Sequence, residues 1–365
     1  MSKPRLNERL IELLDTLSAI QMRQGEPFRA KAYQKAKETL LSYQTTAIPN
    51  TDITNTSQLK GIPNFGASII EKCTEYIATG TLDMIEKDKI DRETNPVYLF
   101  SNIYGIGPKK AADLVAAGFT SIAQLRQAVA ANSTPKLLTK AQIAGLEHYE
   151  DIMERIPRDE IDTYNRLFYD ELITLFGHPG VFQYSIVGSY RRGARDSGDI
   201  DVILSSPPST NPSNISEQTI YEKLVDSLIK KGIITDVLSR GKNKCLVIAT
   251  LPSSQSQTQK PKYRRVDFLC ATPTEYPFSL LYFTGSMLFN TALRNHVLSL
   301  GMTMNEHGIT YLTTTTKTTT PTTTEKKGTQ IEHIFKTERD IFDFLRVVYK
   351  EPEERKDGRD VVLLT

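Results

Sequence analysis

Val187-Gly-Ser-Tyr-Arg-Arg-Gly-Ala-Arg-Asp-Ser-Gly-Asp-Ile-Asp-Val-Ile-Leu204 is the stretch from which the rest of the chain is read. Side chains alternate across a strand, so a strand over Asp199–Leu204 projects Asp199 and Asp201 together and turns Ile200, Val202 and Leu204 to a core. Adjacent carboxylates repel unless a cation lies between them, and a hard, oxygen-seeking ion such as Mg²⁺ supplies that charge. Asp267, in the β-rich run Arg264-Arg-Val-Asp-Phe-Leu269, would add a third acid from an adjacent strand and complete a two-metal site. Taken alone, an Asp-x-Asp pair is most often a solvated edge strand. The preceding Gly188-Ser189 changes that reading: a small turn opening a helix offers N–H groups and a hydroxyl to phosphate oxygens, with Arg192 one turn further on. Phosphate cradle and metal-holding acids within about a dozen residues point to nucleotidyl transfer.

Upstream, the chain reads as helical. Leu6, Leu10, Leu13, Leu14 and Leu17, then Tyr33, Ala36 and Leu40, recur at helical spacing, interrupted at Gly25-Glu-Pro27. Two helix–turn–helix units follow, centred on Gly61-Ile-Pro-Asn-Phe-Gly66 and Gly105-Ile-Gly-Pro108, with trailing helices Ala67–Thr79 and Lys109–Ala117 that end at Gly80 and Gly118. Near Pro157 the pattern changes. An amphipathic helix over Arg158–Phe176 precedes short β runs at Tyr184–Val187, Asp199–Leu204, Cys245–Ala249 and Val266–Cys270, with a helix over Ile220–Lys231 among them. Ser205–Ser216 and Pro252–Lys262 read as exposed loops, Thr313–Thr324 as a low-complexity hairpin loop, and Glu338–Tyr349 as a final helix.

Composition narrows the class without deciding it. At 365 residues the chain has room for more than one domain, and 39% hydrophobic residues suffice for packed cores. No apolar run approaches the roughly 20 residues of a membrane span, and the charged N-terminus lacks a signal peptide, so an intracellular protein without membrane attachment is expected. Cys73, Cys245 and Cys270 are scattered, which suits a reducing compartment and neither a disulfide framework nor a zinc cluster. A net charge of +2 is too small to announce nucleic acid, so any DNA surface must be a local stripe.

Gly188-Ser189, Arg191-Arg-Gly193 and Ser197-Gly-Asp-Ile-Asp201 resemble the signature of the family X DNA polymerases, the group of polymerases beta and lambda. Leu281-Tyr-Phe-Thr-Gly-Ser286 with Phe289-Asn290 and Arg294 resembles that family's nucleotide-binding segment, and Tyr349-Lys-Glu-Pro-Glu-Glu-Arg355 its C-terminus. The match runs in consistent order from about Leu6 to Arg355. The resemblance implies an α+β multidomain fold. Residues 1–93 would form a helical 5′-deoxyribose-phosphate lyase-like domain with the first helix–hairpin–helix, and 94–157 a helical DNA-binding subdomain with the second. Residues 158–272 would form a nucleotidyltransferase-type β-sheet palm, and 273–365 a small α/β nucleotide-binding subdomain.

The same resemblance implies residue roles. Asp199 and Asp201 would bridge two Mg²⁺ ions, Mn²⁺ substituting, and Asp267 would bind only the one that activates the primer 3′-hydroxyl, accepting or relaying its proton. Gly188, Ser189 and Arg192 would hold the triphosphate, with Arg158 close to it or in a plain salt bridge, and Arg265 near the primer terminus keeping the acid ionised. Tyr282-Phe283 would lie against the incoming sugar, and Gly285 would let the backbone come close to it. Asn290 and Arg294, at i and i+4 on one helix face, would meet the incoming base and the template strand. Met287 and Thr291 depart from polymerase beta, which has an acid and a lysine there, whereas His307 is more like lambda.

Gly105, Gly107 and Lys109 would take a DNA phosphate without reading sequence, as would Gly66 in the first hairpin, where Asn64 replaces a usual glycine. Lys72 aligns with the Schiff-base nucleophile of a 5′-deoxyribose-phosphate lyase, and Tyr33, Lys35 and Arg29 with residues around it. Ser68, standing for a lysine of polymerase beta, removes a positive charge, for which Lys31 could substitute. The expected partners are gapped or nicked double-stranded DNA and deoxynucleoside triphosphates, and the expected state is a monomer in a nucleus or in a viral or microbial cytoplasm. Nothing before Leu6 resembles the extra protein-binding domain of lambda-type enzymes. A polymerase without the lyase, an RNA-terminal nucleotidyltransferase and a catalytically dead DNA-binding scaffold are the alternatives. The hairpin pair and Tyr282-Phe-Thr-Gly285 argue against the second and the trio of acids against the third.

Overall fold

The helical spacing that begins at Leu6 folds into two antiparallel helices, α1 (Asn7–Arg23) and α2 (Pro27–Tyr43), turned at Gly25, whose φ is +78°. A computed structural model describes residues 6–43, 53–131, 137–208, 215–252, 261–312 and 331–364. It divides the chain into two compact units, Met1–Leu138 and Thr139–Thr365. In the first, Leu10, Leu13, Leu14 and Leu17 of α1 and Tyr33, Ala36 and Leu40 of α2 are buried against one another. Helix α3 (Ala67–Thr79) stops at Gly80, left-handed at φ 80°, and is followed by α4 (Asp83–Thr94) and α5 (Pro96–Ser101). Helix α6 (Pro108–Ala116) begins one residue earlier than its spacing suggests, because proline suits the first helical position. Helix α7 (Ile122–Ala130) completes the unit, which contains no strand among its described residues.

The second unit opens with α8 (Lys140–Glu147) and α9 (Tyr149–Met153), then the short strand β1 (Ile156–Pro157) and α10 (Arg158–Phe176). Its centre is a five-stranded sheet. The strands are β2 (Gln183–Ile186), β4 (Ile200–Ser205), β5 (Ile234–Arg240), β6 (Lys244–Thr250) and β7 (Tyr263–Cys270), ordered β2-β4-β7-β6-β5. Between β2 and β4 come the single-turn helix α11 (Gly188–Arg191) and β3 (Asp196–Ser197), which pairs with β1. Strands β4 and β7 run parallel, and the other neighbours in the sheet run antiparallel. Helix α12 (Glu217–Lys230) joins α10 in packing one face of the sheet, around Val202, Leu204, Val247, Val266 and Phe268. Ile203 and Leu269 point to the other face, against Val187 and the partly buried Tyr276, Leu280 and Phe283. The two middle strands are therefore buried on both sides, as parallel pairs usually are.

Arg264 fixes β7 from its buried side, donating to both oxygens of Glu160 at 2.7 and 2.8 Å and to the Asp151 carbonyl at 3.1 Å. After the sheet, α13 (Tyr276–Thr284) and α14 (Met287–Ser299) lead into a hairpin of β8 (Met302–Asn305) and β9 (Gly308–Tyr311). Their core gathers Phe278, Phe289, Met302, Ile309 and Phe342.

Two expectations need correction. Ser205 and Ser206 do not begin an exposed loop: β4 continues through Ser205 to pair with Gln183, and Ser206 donates to Glu217 at 3.1 Å, so both are buried. The final helix, α15, covers Glu338–Phe344 rather than reaching Tyr349. Arg346 turns left-handed at φ 53°, Val347 N–H bonds the Phe342 carbonyl at 2.9 Å, and Val348 N–H bonds Val362 at 2.7 Å, so two β-branched residues leave the helix for extended pairing. Strand β5 and the β8–β9 hairpin were not anticipated at all. The Thr313–Thr324 tract and most of the two polar insertions lie outside the described residues.

Candidate active site

The sheet register brings two of the acids together. Asp201 on β4 stands opposite Asp267 on β7, and Asp199 lies one residue before β4 begins. Each outer acid faces a basic side chain. Arg265 donates to Asp199 Oδ2 at 2.8 Å, and Lys244 Nζ lies 3.1 Å from Asp267 Oδ2. Among the described residues, no basic side chain pairs with Asp201 in this way. Burial first, then the charges of Asp199 and Asp267, push its carboxyl up to about 7, against the pull of Lys244 and Arg265. Burial also raises Asp267, although Lys244 and Arg265 counteract it.

These acids fit a divalent cation. The buried Oδ1 of Asp267 has no hydrogen-bond partner among the described residues, and the crowding around Asp201 marks a cluster short of positive charge. Among the described residues, no three His, Cys, Asp or Glu side chains already form a cage for an ion. Asp199 and Asp267 are turned to their basic neighbours instead.

The turn beside the acids is built on Gly188, held at φ +66°; a Cβ there would come within 3.1 Å of Asp201 Oδ2. Val187 N–H bonds the Asp201 carbonyl at 2.9 Å, which ties the turn to β4. Ser189 Oγ is 2.7 Å from Ser197 Oγ. Arg158 bonds the carbonyls of Tyr190 (2.7 Å) and Ala194 (3.3 Å) and lies over the Tyr190 ring, so it braces the turn, and it makes no salt bridge among the described residues. Arg192 donates to the Thr284 carbonyl at 2.5 Å, joining the turn to the end of α13.

There Tyr282 and Phe283 set their rings 5.1 Å apart at 80°, and Gly285, at φ +69°, leaves only 3.3 Å between a Cβ and Arg192. Asn290 donates to the Tyr282 carbonyl at 2.7 Å, Thr291 Oγ1 to the Met287 carbonyl at 2.8 Å, and Arg294 is exposed. Ser286 is held by the C-terminal segment, its N–H on the Arg355 carbonyl and its Oγ on the Lys356 carbonyl.

The sequence assigned no role to several residues around this site. Arg191 bonds Thr284 Oγ1 at 2.7 Å and both oxygens of Glu338, at 3.1 and 2.6 Å, and Glu338 also receives Arg355 at 2.6 Å. Arg355 is fully buried, with its guanidinium over the rings of Phe289, Phe342 and Tyr349. His307 bonds Glu275 at 2.9 Å, linking the β8–β9 hairpin to the residue before α13. Lys244 gave no signal, since a lysine opening a strand has nothing in its spacing to mark it.

Known families map onto this architecture in the same order. The DNA polymerase beta palm matches residues 155–273 and the DNA polymerase beta thumb 279–356. The fingers domain of DNA polymerase lambda matches 98–153, and a helix–hairpin–helix domain matches 5–82. DNA polymerase lambda of Rattus norvegicus is 30% identical over 354 residues, covering 96% of this chain and 56% of that protein. The chain belongs to the family X DNA polymerases.

DNA polymerase lambda of Arabidopsis thaliana is 27% identical over 364 residues, covering 96% of this chain and 62% of that protein. A DNA polymerase type-X family protein of Schizosaccharomyces pombe is 26% identical over 356 residues, covering 97% and 65%. The chain thus spans less than two thirds of the length of each relative.

Within this family X chain the two hairpins share one backbone. Asn64 takes the left-handed φ of 67° that Gly105 takes at 75°, and Gly66 and Gly107 cap α3 and α6 with matching extended conformations. Asparagine tolerates that region, and its side chain donates to Thr39 at 2.8 Å. A Cβ at Gly66 or Gly107 would meet nothing within 4 Å, and Lys109 is exposed beside the second hairpin. Lys72 donates to Ser68 Oγ at 2.9 Å and lines a cavity shared with Arg29, Tyr33 and Ser68. Burial raises the Tyr33 hydroxyl above its ordinary value, with Arg29 opposing. Lys31 and Lys35 are exposed and do not line this cavity.

Proposed function

We propose that this chain carries out template-directed DNA synthesis, filling short gaps in DNA during base excision repair. The observation that carries it is the pairing of Asp201 with Asp267 across β4 and β7, next to a turn that Arg192 joins to the Tyr282–Gly285 segment. The polymerase names of the relatives support the same reading.

Asp199, Asp201 and Asp267 would hold two Mg²⁺ ions, which supply charge stabilisation to the attacking and leaving oxygens of a displacement at phosphorus. Asp267 accepts or relays the proton of the primer 3′-hydroxyl. Ser189 and the free nitrogens of Arg192 hold the outer phosphates, and Arg158 keeps the turn in shape. Tyr282 and Phe283 lie under the sugar, where close backbone disfavours a 2′-hydroxyl, while Asn290 and Arg294 face the nascent pair. Gly105, Gly107, Lys109 and Gly66 contact DNA phosphates. Single-nucleotide incorporation should be strong on a gapped duplex and negligible on a blunt, untemplated end. The reverse preference would make the chain a terminal nucleotidyltransferase.

The cavity shared by Lys72, Arg29 and Tyr33 favours an accessory 5′-deoxyribose-phosphate lyase, with Lys72 as the amine nucleophile. Borohydride should trap the wild-type protein on a preincised abasic duplex and fail to trap Lys72→Ala. No trapping of the wild type would leave a polymerase without the lyase.

A further inference from the structure

Lys244 stands two residues before Leu246, the partner of Asp267 in the register of β6 against β7. Residues two apart share a face of the sheet, so Lys244 meets Asp267 diagonally. Its ammonium takes Oδ2, while Oδ1 is buried without a partner. The two side chains differ in freedom: that of Asp267 is 8% exposed and that of Lys244 46%. The acid is fixed in the sheet, whereas the lysine ends a flexible four-carbon stem that can swing into solvent. Asp199 has its own cation in Arg265, which is anchored on β7 itself.

We propose that the Lys244 ammonium is the resident counter-ion of the acidic cluster, and that it must leave Asp267 before a divalent cation can bind there. Lys244 then neutralises Asp267 when no ion is present, and it opposes ion entry by repulsion across a partly buried gap. It is a positioning residue that sets the affinity of the cluster for its ions. The inference rests on the reading above, in which these acids hold divalent cations.

Mn²⁺ binding to the full chain, without DNA or nucleotide, tests it directly through the electron paramagnetic resonance signal of the free ion. Lys244→Met, which keeps length and removes charge, should tighten Mn²⁺ binding roughly three- to tenfold. Lys244→Arg should stay near wild type, and Lys244→Gln serves if the methionine variant misfolds. Unchanged or weaker binding in the neutral variants overturns the inference. Asp267→Asn identifies the site: if wild-type binding does not depend on Asp267, the metal reading itself fails, and the role of Lys244 falls with it.

Discussion

Asp267→Ala is expected to lower single-nucleotide incorporation on gapped DNA by at least about a thousandfold, while gapped-DNA binding changes less than about threefold. Charge stabilisation by bound metal accounts for several kcal/mol of barrier lowering in such displacements, and each ~1.4 kcal/mol is tenfold in rate. Asp267 contributes an oxygen to that charge and, in the proposed mechanism, takes the proton of the attacking hydroxyl. It sits on a central strand with its carboxyl buried, and in the proposed mechanism it meets DNA only at the primer terminus, so substitution should leave the proposed hairpin contacts to DNA intact. Lys244 would lose its partner, which releases positive charge and cannot weaken attraction to phosphates. Rapid-quench incorporation and filter binding check both halves. Retention of more than a tenth of wild-type incorporation would remove Asp267 from the reacting centre.

The second large effect belongs to Glu338. Removing its carboxylate leaves Arg355, fully buried and with one nitrogen already lacking a hydrogen-bond partner, without the charge that neutralises it. Breaking a buried pair in this way costs about 3–5 kcal/mol. For a unit of this size that corresponds to a fall of roughly 10 °C in the midpoint of its thermal transition for Glu338→Ala. The pH dependence has a definite sign. Burial alone would raise the Glu338 carboxyl, but hydrogen bonds and charge from Arg191 and Arg355 outweigh it and hold the group below its ordinary value. A lowered folded value means that the stabilisation is complete above the ordinary glutamate range, about 4.3, and is lost as pH falls through the lowered value. Wild type and Glu338→Gln should therefore converge in stability at acid pH and diverge above it. A constant gap across that window would show that the ion pairs are not what the glutamate contributes.

Much of this was legible in the residues because short, strongly constrained patterns carried it. The Gly188–Asp201 stretch specifies a turn, a strand and a face with few alternatives, and the coordinates follow it closely. Helix α10 was read to its ends because its apolar stripe and the glycine after Phe176 leave little choice. What escaped was set by partners distant in sequence. The burial of Arg355 and Glu338 has no signature in their spacing, because it arises only where α14, α15 and the C-terminal segment close over them. Helix α15 was overextended because Val347 and Val348 fit an apolar helical stripe as well as they fit extended pairing with Val362 and Leu363. Lys244 and Arg265 were opaque for a similar reason: which acid each one meets depends on strand register. Arg265 hydrogen-bonds Asp199, and its charge also counteracts the rise that burial imposes on Asp267.

The parallel pairing of β4 with β7 also has a consequence for biosynthesis. The strands bearing Asp201 and Asp267 are separated in sequence by a helix and an antiparallel pair, so their alignment needs a long loop to close, a slow and late event. The N-terminal helices, whose contacts are mostly local, can settle while the ribosome is still making the rest. A nascent chain would thus form its helix–hairpin–helix unit before the sheet that carries the three acids, which is complete only once the strand through Cys270 has emerged and docked.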